Sequence, residues 1–112
     1  MSERSIFEVQ AELCQCMANA VRTEIVHVLR DGPQRAGDIA RLIGRPQTTV
    51  SRHLGVLRNG GVVTAQRRGQ DIVYRIANPK LVSICDLMRE VLVEEAARRS
   101  RLVEASQDEP SR

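Results

Sequence analysis

A chain of 112 residues with a formal charge of +3 and only two aromatic residues, Phe7 and Tyr74, has room for one small core of Val, Leu, Ile, Ala and Met. No stretch approaches the ~20 apolar residues of a membrane span, and the polar start MSERS lacks the order of a secretory signal, so a cytoplasmic protein without membrane contact is expected. The basic surplus, almost all arginine, permits nucleic-acid binding without requiring it, since clustering matters more than the total.

The first helix is predicted from Ser5 to about Asn19. Ile6, Val9, Leu13 and Cys16 fall on one stripe, Phe7, Ala11, Cys14 and Ala18 on the next. So wide an apolar face exceeds what one small domain buries at its start, and a partner chain is the simplest explanation. A second helix, about Ala20 to Arg30, carries Val21, Ile25, Val28 and Leu29 and stops at the breaker Asp31-Gly32-Pro33. Ala36 to Ile43 gives a short helix with Ile39, Leu42 and Ile43 inward. Gly44-Arg45-Pro46 then turns the chain into another helix, Gln47 to Arg58, and the pair reads as helix-turn-helix. Val62 to Gln66 and Ile72 to Ile76 are β-branched runs flanking Arg67-Arg68-Gly69-Gln70-Asp71, which predicts a hairpin with a basic tip. From Pro79 a last helix places Leu81, Ile84, Cys85, Met88, Leu92 and Leu102 at roughly helical spacing. The fold class expected is mainly α with a small β-hairpin, a winged helix-turn-helix with a helical dimer interface. Residues 1–104 form the DNA-binding and dimerisation domain and 105–112 a disordered tail.

Within Gln47 to Arg58, Val50, Leu54 and Leu57 can anchor the helix, while Gln47, Thr48, Ser51, Arg52, Gly55 and Arg58 face away. A polar helix face is by default merely solvated. Here a preceding short helix, a suitable turn and a following hairpin with two arginines occur together, and they reverse that default. The major groove accepts a helix whose N-terminal side chains read base edges, Gln pairing with adenine and Arg with guanine. Gln47, Thr48, Ser51 and Arg52 have that chemistry in that place. His53 lies toward the flank and suits a phosphate, and Arg67 and Arg68 could reach phosphate or the minor groove.

Thr49-Val50-Ser51-Arg52-His53-Leu54-Gly55-Val56-Leu57-Arg58, with Gly60-Gly61-Val62-Val63, Arg67-Arg68-Gly69-Gln70 and Val73-Tyr74-Arg75-Ile76, resembles the ArsR/SmtB family of small repressors. Met17-Ala18-Asn19-Ala20-Val21-Arg22 followed by Ile25 resembles the opening of that family's second helix, and the likeness runs from about Glu12 to Leu92. It implies no enzyme but a homodimer with its first and last helices at the interface. Such a dimer represses transcription from double-stranded operator DNA and is released by an inducer.

The resemblance raises the question of what is sensed. The Cys-x-Cys type site of many arsenic and cadmium sensors is absent, because Arg35 to Ile43 contains no Cys or His. The last helix offers Asp86, Glu90, Glu94 and Glu95 but no histidine, so a zinc site of the family's other kind is not expected either. Cys14, Cys16 and Cys85 remain. They are an odd number without an export signal, which speaks for reduced thiols. Three thiolates suit trivalent arsenic, antimony or another thiophilic metal, and a pair suits disulfide or persulfide chemistry. Residues two apart on a helix point about 200° from each other, which weakens any site using both Cys14 and Cys16. Against these readings stands the plain one, that all three are small buried hydrophobes. DNA binding itself requires no cofactor, and His27 has no ligand partner in sight. Two rival classes are a thiol-dependent redox enzyme, for which no Cys-x-x-Cys is visible, and a winged-helix interaction module that neither senses nor reads DNA. Arg52 and Arg58 speak against the second.

Overall fold

Short polar side chains start the first two helices of the computed structural model, which describes residues 4–108. Ser5 Oγ accepts from the Glu8 amide at 3.1 Å and opens α1, Ile6–Met17. Asn19 Oδ1 accepts from the Val21 and Arg22 amides at 2.9 and 3.2 Å and opens α2, Ala20–Leu29. Each cap satisfies amides that the first helical turn leaves without partners.

After the breaker at Asp31-Gly32-Pro33 come β1, Gln34–Arg35, and α3, Ala36–Ile43. Gly44 closes α3 at φ 68°, a left-handed conformation that glycine adopts without Cβ strain, and α4 follows as Gln47–Asn59. The wing is β2, Val63–Arg68, paired antiparallel with β3, Asp71–Ile76, and α5 spans Lys80–Asp108. The observed architecture is a winged helix-turn-helix, five helices with a small sheet.

The sheet has three strands in the order β1-β3-β2, not the two of the expected hairpin. The extra strand is only Gln34 and Arg35, opposite Tyr74 and Val73. Two residues carry no period-2 signal, so their pairing is decided by where β3 runs rather than by their own pattern.

The chain divides into two compact units, one ending at Val82 and the other beginning at Ser83. In the first, Ile25 and Val26 of α2, Ile39 of α3, Val50, Leu54 and Leu57 of α4, and Val62 before β2 are completely buried. Two inward assignments change. Val26 is fully buried, whereas Val28 is half-buried. Leu42 is 61% exposed, because Ile39, Ala40 and Ile43 set the inner face of α3 and, at about 100° per residue, Leu42 falls about 60° outside its edge. On α1 only Met17 is buried, and Ile6 and Phe7 are more than 70% exposed. In the second unit Cys85 is buried, while Leu87, Met88, Val91, Leu92, Leu102 and Val103 stand largely in solvent. The last helix does not end near Leu102. It continues through Asp108, so residues 105–108 of the expected disordered tail are helical, and residues 109–112 of that tail lie outside the described range.

Candidate nucleic-acid interface

Val50, Leu54 and Leu57, at i, i+4 and i+7, bolt α4 to the core at zero exposure. That fixes the rotation of the helix, and Gln47, Thr48, Ser51, Arg52 and Arg58 stand exposed on the other side. At its start α4 meets α3 closely. A Cβ added at Gly37 would lie 3.3 Å from Gln47 Oε1, so the small residue at that site lets the glutamine lie across the beginning of α3. The turn between the helices is tied back to α2 by a bidentate pair, Arg45 Nε and Nη2 donating to Glu24 Oε2 and Oε1 at 3.0 and 2.9 Å. The Arg45 hydrogen bond holds the Glu24 carboxyl below the usual carboxylate range. Both side chains are more than a third exposed, so water screens the attraction and the bond serves chiefly to set geometry.

His53 is half-buried rather than free on the flank. Its Nδ1 lies 3.1 Å from Nη1 of Arg22 on α2, and the same guanidinium donates through Nε to the Cys16 carbonyl at 2.6 Å. Burial first, then the charges of Arg22, Arg52 and Arg45, push the His53 imidazole below its ordinary value. Nothing in the sequence spacing pointed to Arg22, which lies 31 positions from His53.

The wing differs from expectation in one respect. Arg67 and Arg68 are the last residues of β2, opposite Ile72 and Asp71, and the tip is Gly69-Gln70, with Gly69 at φ 63°. A two-residue hairpin connection needs a residue in the left-handed region, and that requirement moves the tip past the arginines. Asp71 accepts from Arg35 at 3.2 Å, which pins the base of the tip to β1. Between α3, the start of α4 and the wing lies an open groove of about 530 Å³ whose lining includes Arg35, Arg41, Gln47, Ser51, Asp71 and Tyr74. Arg35 and Arg41 were not singled out by sequence. Arg41 is paired with Asp38 and Arg35 with Asp71, so each arginine in the groove already has a carboxylate beside it.

Cys14 is exposed, whereas Cys16 is half-buried with Sγ 3.8 Å from the Val56 carbonyl oxygen, so the two thiols of α1 meet different surroundings, as the helical angle requires. A Cβ at Gly60 would stand 2.6 Å from Cys16 Sγ, which means that the thiol occupies the notch left by the glycine at the end of α4. Cys85 belongs to the second unit, and burial pushes its thiol above the ordinary value. Among the described residues no three His, Cys, Asp or Glu side chains gather as a metal site.

Residues 19–65, from the α2 cap into β2, match the profile of the bacterial regulatory protein, arsR family. The chain is 36% identical over 85 residues to the transcriptional repressor PagR of Bacillus anthracis, a match covering 75% of this chain and 85% of PagR. The chain belongs to the ArsR/SmtB family. It is also 36% identical over 81 residues to the HTH-type transcriptional repressor SmtB of Mycobacterium tuberculosis, covering 72% of this chain and 60% of that relative's length. Among solved structures, this ArsR/SmtB chain is similar to the homodimeric winged helix-turn-helix DNA-binding domain of a Mycobacterium bovis protein. The TM-score is 0.70 at 30% identity, over 84% of this chain and 92% of that domain. The relatives are transcriptional regulators, not enzymes.

Proposed function

We propose that this protein is a homodimeric repressor that binds double-stranded operator DNA. The outer face of α4 carries that reading: its apolar positions are locked in the core, so Gln47, Thr48, Ser51 and Arg52 stand exposed along the N-terminal half of the helix. In the complex these four read base edges in the major groove, Arg58 lies on the same face, His53 meets a phosphate, and Arg67 and Arg68 meet the flanking backbone. Pairing is supported by the homodimeric state of the Mycobacterium bovis domain and by the apolar side chains that α1 and α5 each leave in solvent. Two copies would present their α4 helices to half-sites roughly one helical turn (~34 Å) apart. The compartment is the one that holds DNA, the cytoplasm, where thiols stay reduced.

The test is an anisotropy titration at fixed salt, with a duplex that the protein itself selects from a randomised pool. Arg52→Ala should cost about 1–3 kcal/mol, and affinity should fall steeply with added salt. Unchanged affinity in Arg52→Ala sinks the assignment.

The inducer acts through thiols in this reading. Cys16 supports it, since its sulfur lies against the end of α4 and an adduct there could not form without moving that helix end or the thiol. Trivalent arsenic or antimony, which takes up to three thiolates, would have to draw them from more than one element, and a persulfide or disulfide needs fewer. Operator binding with and without arsenite, antimonite, cadmium, a persulfide donor or peroxide, repeated on Cys14→Ser, Cys16→Ser and Cys85→Ser, separates these chemistries. If no compound alters binding by the unmodified protein, the thiols are not the sensor.

A further inference from the structure

Arginine has five N–H donors and no acceptor, and in a protein it stays protonated. The 3.1 Å contact between Arg22 Nη1 and His53 Nδ1 is therefore directional: the guanidinium donates, and Nδ1 accepts. A neutral imidazole carries one proton, so the acceptor role of Nδ1 assigns that proton to Nε2. An imidazolium, with a proton on both nitrogens, has no lone pair to offer and would face the fixed charge of Arg22. The arginine cannot swing away cheaply, because its Nε is held by the Cys16 carbonyl at 2.6 Å and its amide by the Asn19 cap at 3.2 Å. The charges of Arg22 of α2, Arg52 beside it on α4, and Arg45 of the turn, the last paired with Glu24, also oppose a second proton.

We propose that Arg22 is a positioning residue for DNA recognition: by donating to Nδ1 it locks His53 as the neutral Nε2–H tautomer, so that the ring offers an operator phosphate one N–H donor. This rests on the DNA-binding reading above. A neutral donor attracts a phosphate oxygen by a hydrogen bond alone and displaces no condensed counterion of its own, so the contact adds affinity without adding to the salt dependence. The same guanidinium holds the end of α1, and a shift of that helix end would reach the recognition helix through this side chain.

Imidazole nitrogen spectra of the full-length protein at neutral pH test the first half. His53 should be protonated on Nε2 only, with Nδ1 an acceptor, and Arg22→Met should release the neutral ring into a mixture of the Nε2–H and Nδ1–H tautomers. Operator titrations on the self-selected duplex test the second. His53→Phe should weaken binding at least about tenfold, the size of a lost hydrogen bond to a charged group, with the slope of log K against log salt unchanged, and Arg22→Met should weaken it in the same direction but by less, because a released ring still offers Nε2–H part of the time. The double variant should lose little more than His53→Phe alone. His53→Gln, which keeps an amide N–H near the Nε2 position, should stay close to the unmodified protein. Should Arg22→Met fail to fold, the spectrum of the unmodified protein and the two His53 variants still decide. An Nδ1–H or imidazolium signal in the unmodified protein overturns the inference. So does wild-type affinity in His53→Phe while Arg52→Ala still loses affinity, an outcome that leaves the DNA-binding reading standing. If Arg52→Ala also binds normally, that reading and the inference fall together.

Discussion

Gly60→Ala isolates the contact by which α1 reaches α4. Gly60 sits at φ −83° and ψ 0°, a backbone conformation open to alanine, so the substitution carries no dihedral strain. Taken alone it would stabilise the protein by about 0.4–1 kcal/mol by restricting the unfolded chain. The added Cβ, however, would stand 2.6 Å from Cys16 Sγ and 3.3 Å from Cys16 Cβ. Rotating the thiol away relieves the first contact but forfeits its seat against the Val56 carbonyl, and it leaves the second. Overpacking of this kind costs about 1–3 kcal/mol, so the expected net effect is a loss of about 1 kcal/mol. Thermal melts at fixed protein concentration should register it as a fall of roughly 4–8 °C. In a Cys16→Ala background the sulfur is gone and the penalty should largely vanish, giving a coupling energy of about 1 kcal/mol in the double-mutant cycle. Equal stability of Gly60→Ala and the unmodified protein, or an undiminished penalty without the thiol, would refute the packing argument.

Stability should depend on pH through His53. Its folded value lies below the ordinary one, chiefly through burial, so below about 6.5 the unfolded chain binds more protons and stability falls as pH drops toward the folded value. The urea midpoint should be lower near pH 5.5 than near pH 7.5, and His53→Gln should narrow the difference. Buried and exposed positions of α3 should separate sharply: Ile39→Ala costs about 2–5 kcal/mol in denaturant unfolding, whereas Leu42→Ser stays within about 0.5 kcal/mol. Equal losses would contradict the observed rotation of the helix. Leu87→Glu and Val91→Glu, both at positions more than half exposed in the chain, should shift the sedimenting species from dimer to monomer, and an unchanged mass would place the dimer interface elsewhere.

The winged helix-turn-helix was legible in the sequence because its signals are local. The 3.6-residue period of Val50, Leu54 and Leu57, the glycine closing α3 and the β-branched runs on either side of Gly69 each act within a few residues, and α3 matches its predicted limits, Ala36 to Ile43. Local signals also gave the outer face of α4, since fixing the buried side of a helix fixes the opposite one. What the sequence could not carry were contacts between residues far apart in the chain. Gln34 and Arg35 become a strand only because β3 passes beside them, and Leu42 is left outside because Ala40 takes its place toward the core. The same holds where the candidate site is most specific. Arg22 and His53 are 31 positions apart, and Cys16 and Val56 are 40 apart. No periodicity encodes such pairs. Composition and spacing by themselves determined that an amphipathic helix would leave polar and cationic side chains exposed. Only the packing of α1 and α2 on α4 decided that one arginine donates to Nδ1 of His53 and that one thiol rests against the end of α4, because hydrogen-bond direction and van der Waals contact exist only between groups that folding has brought together.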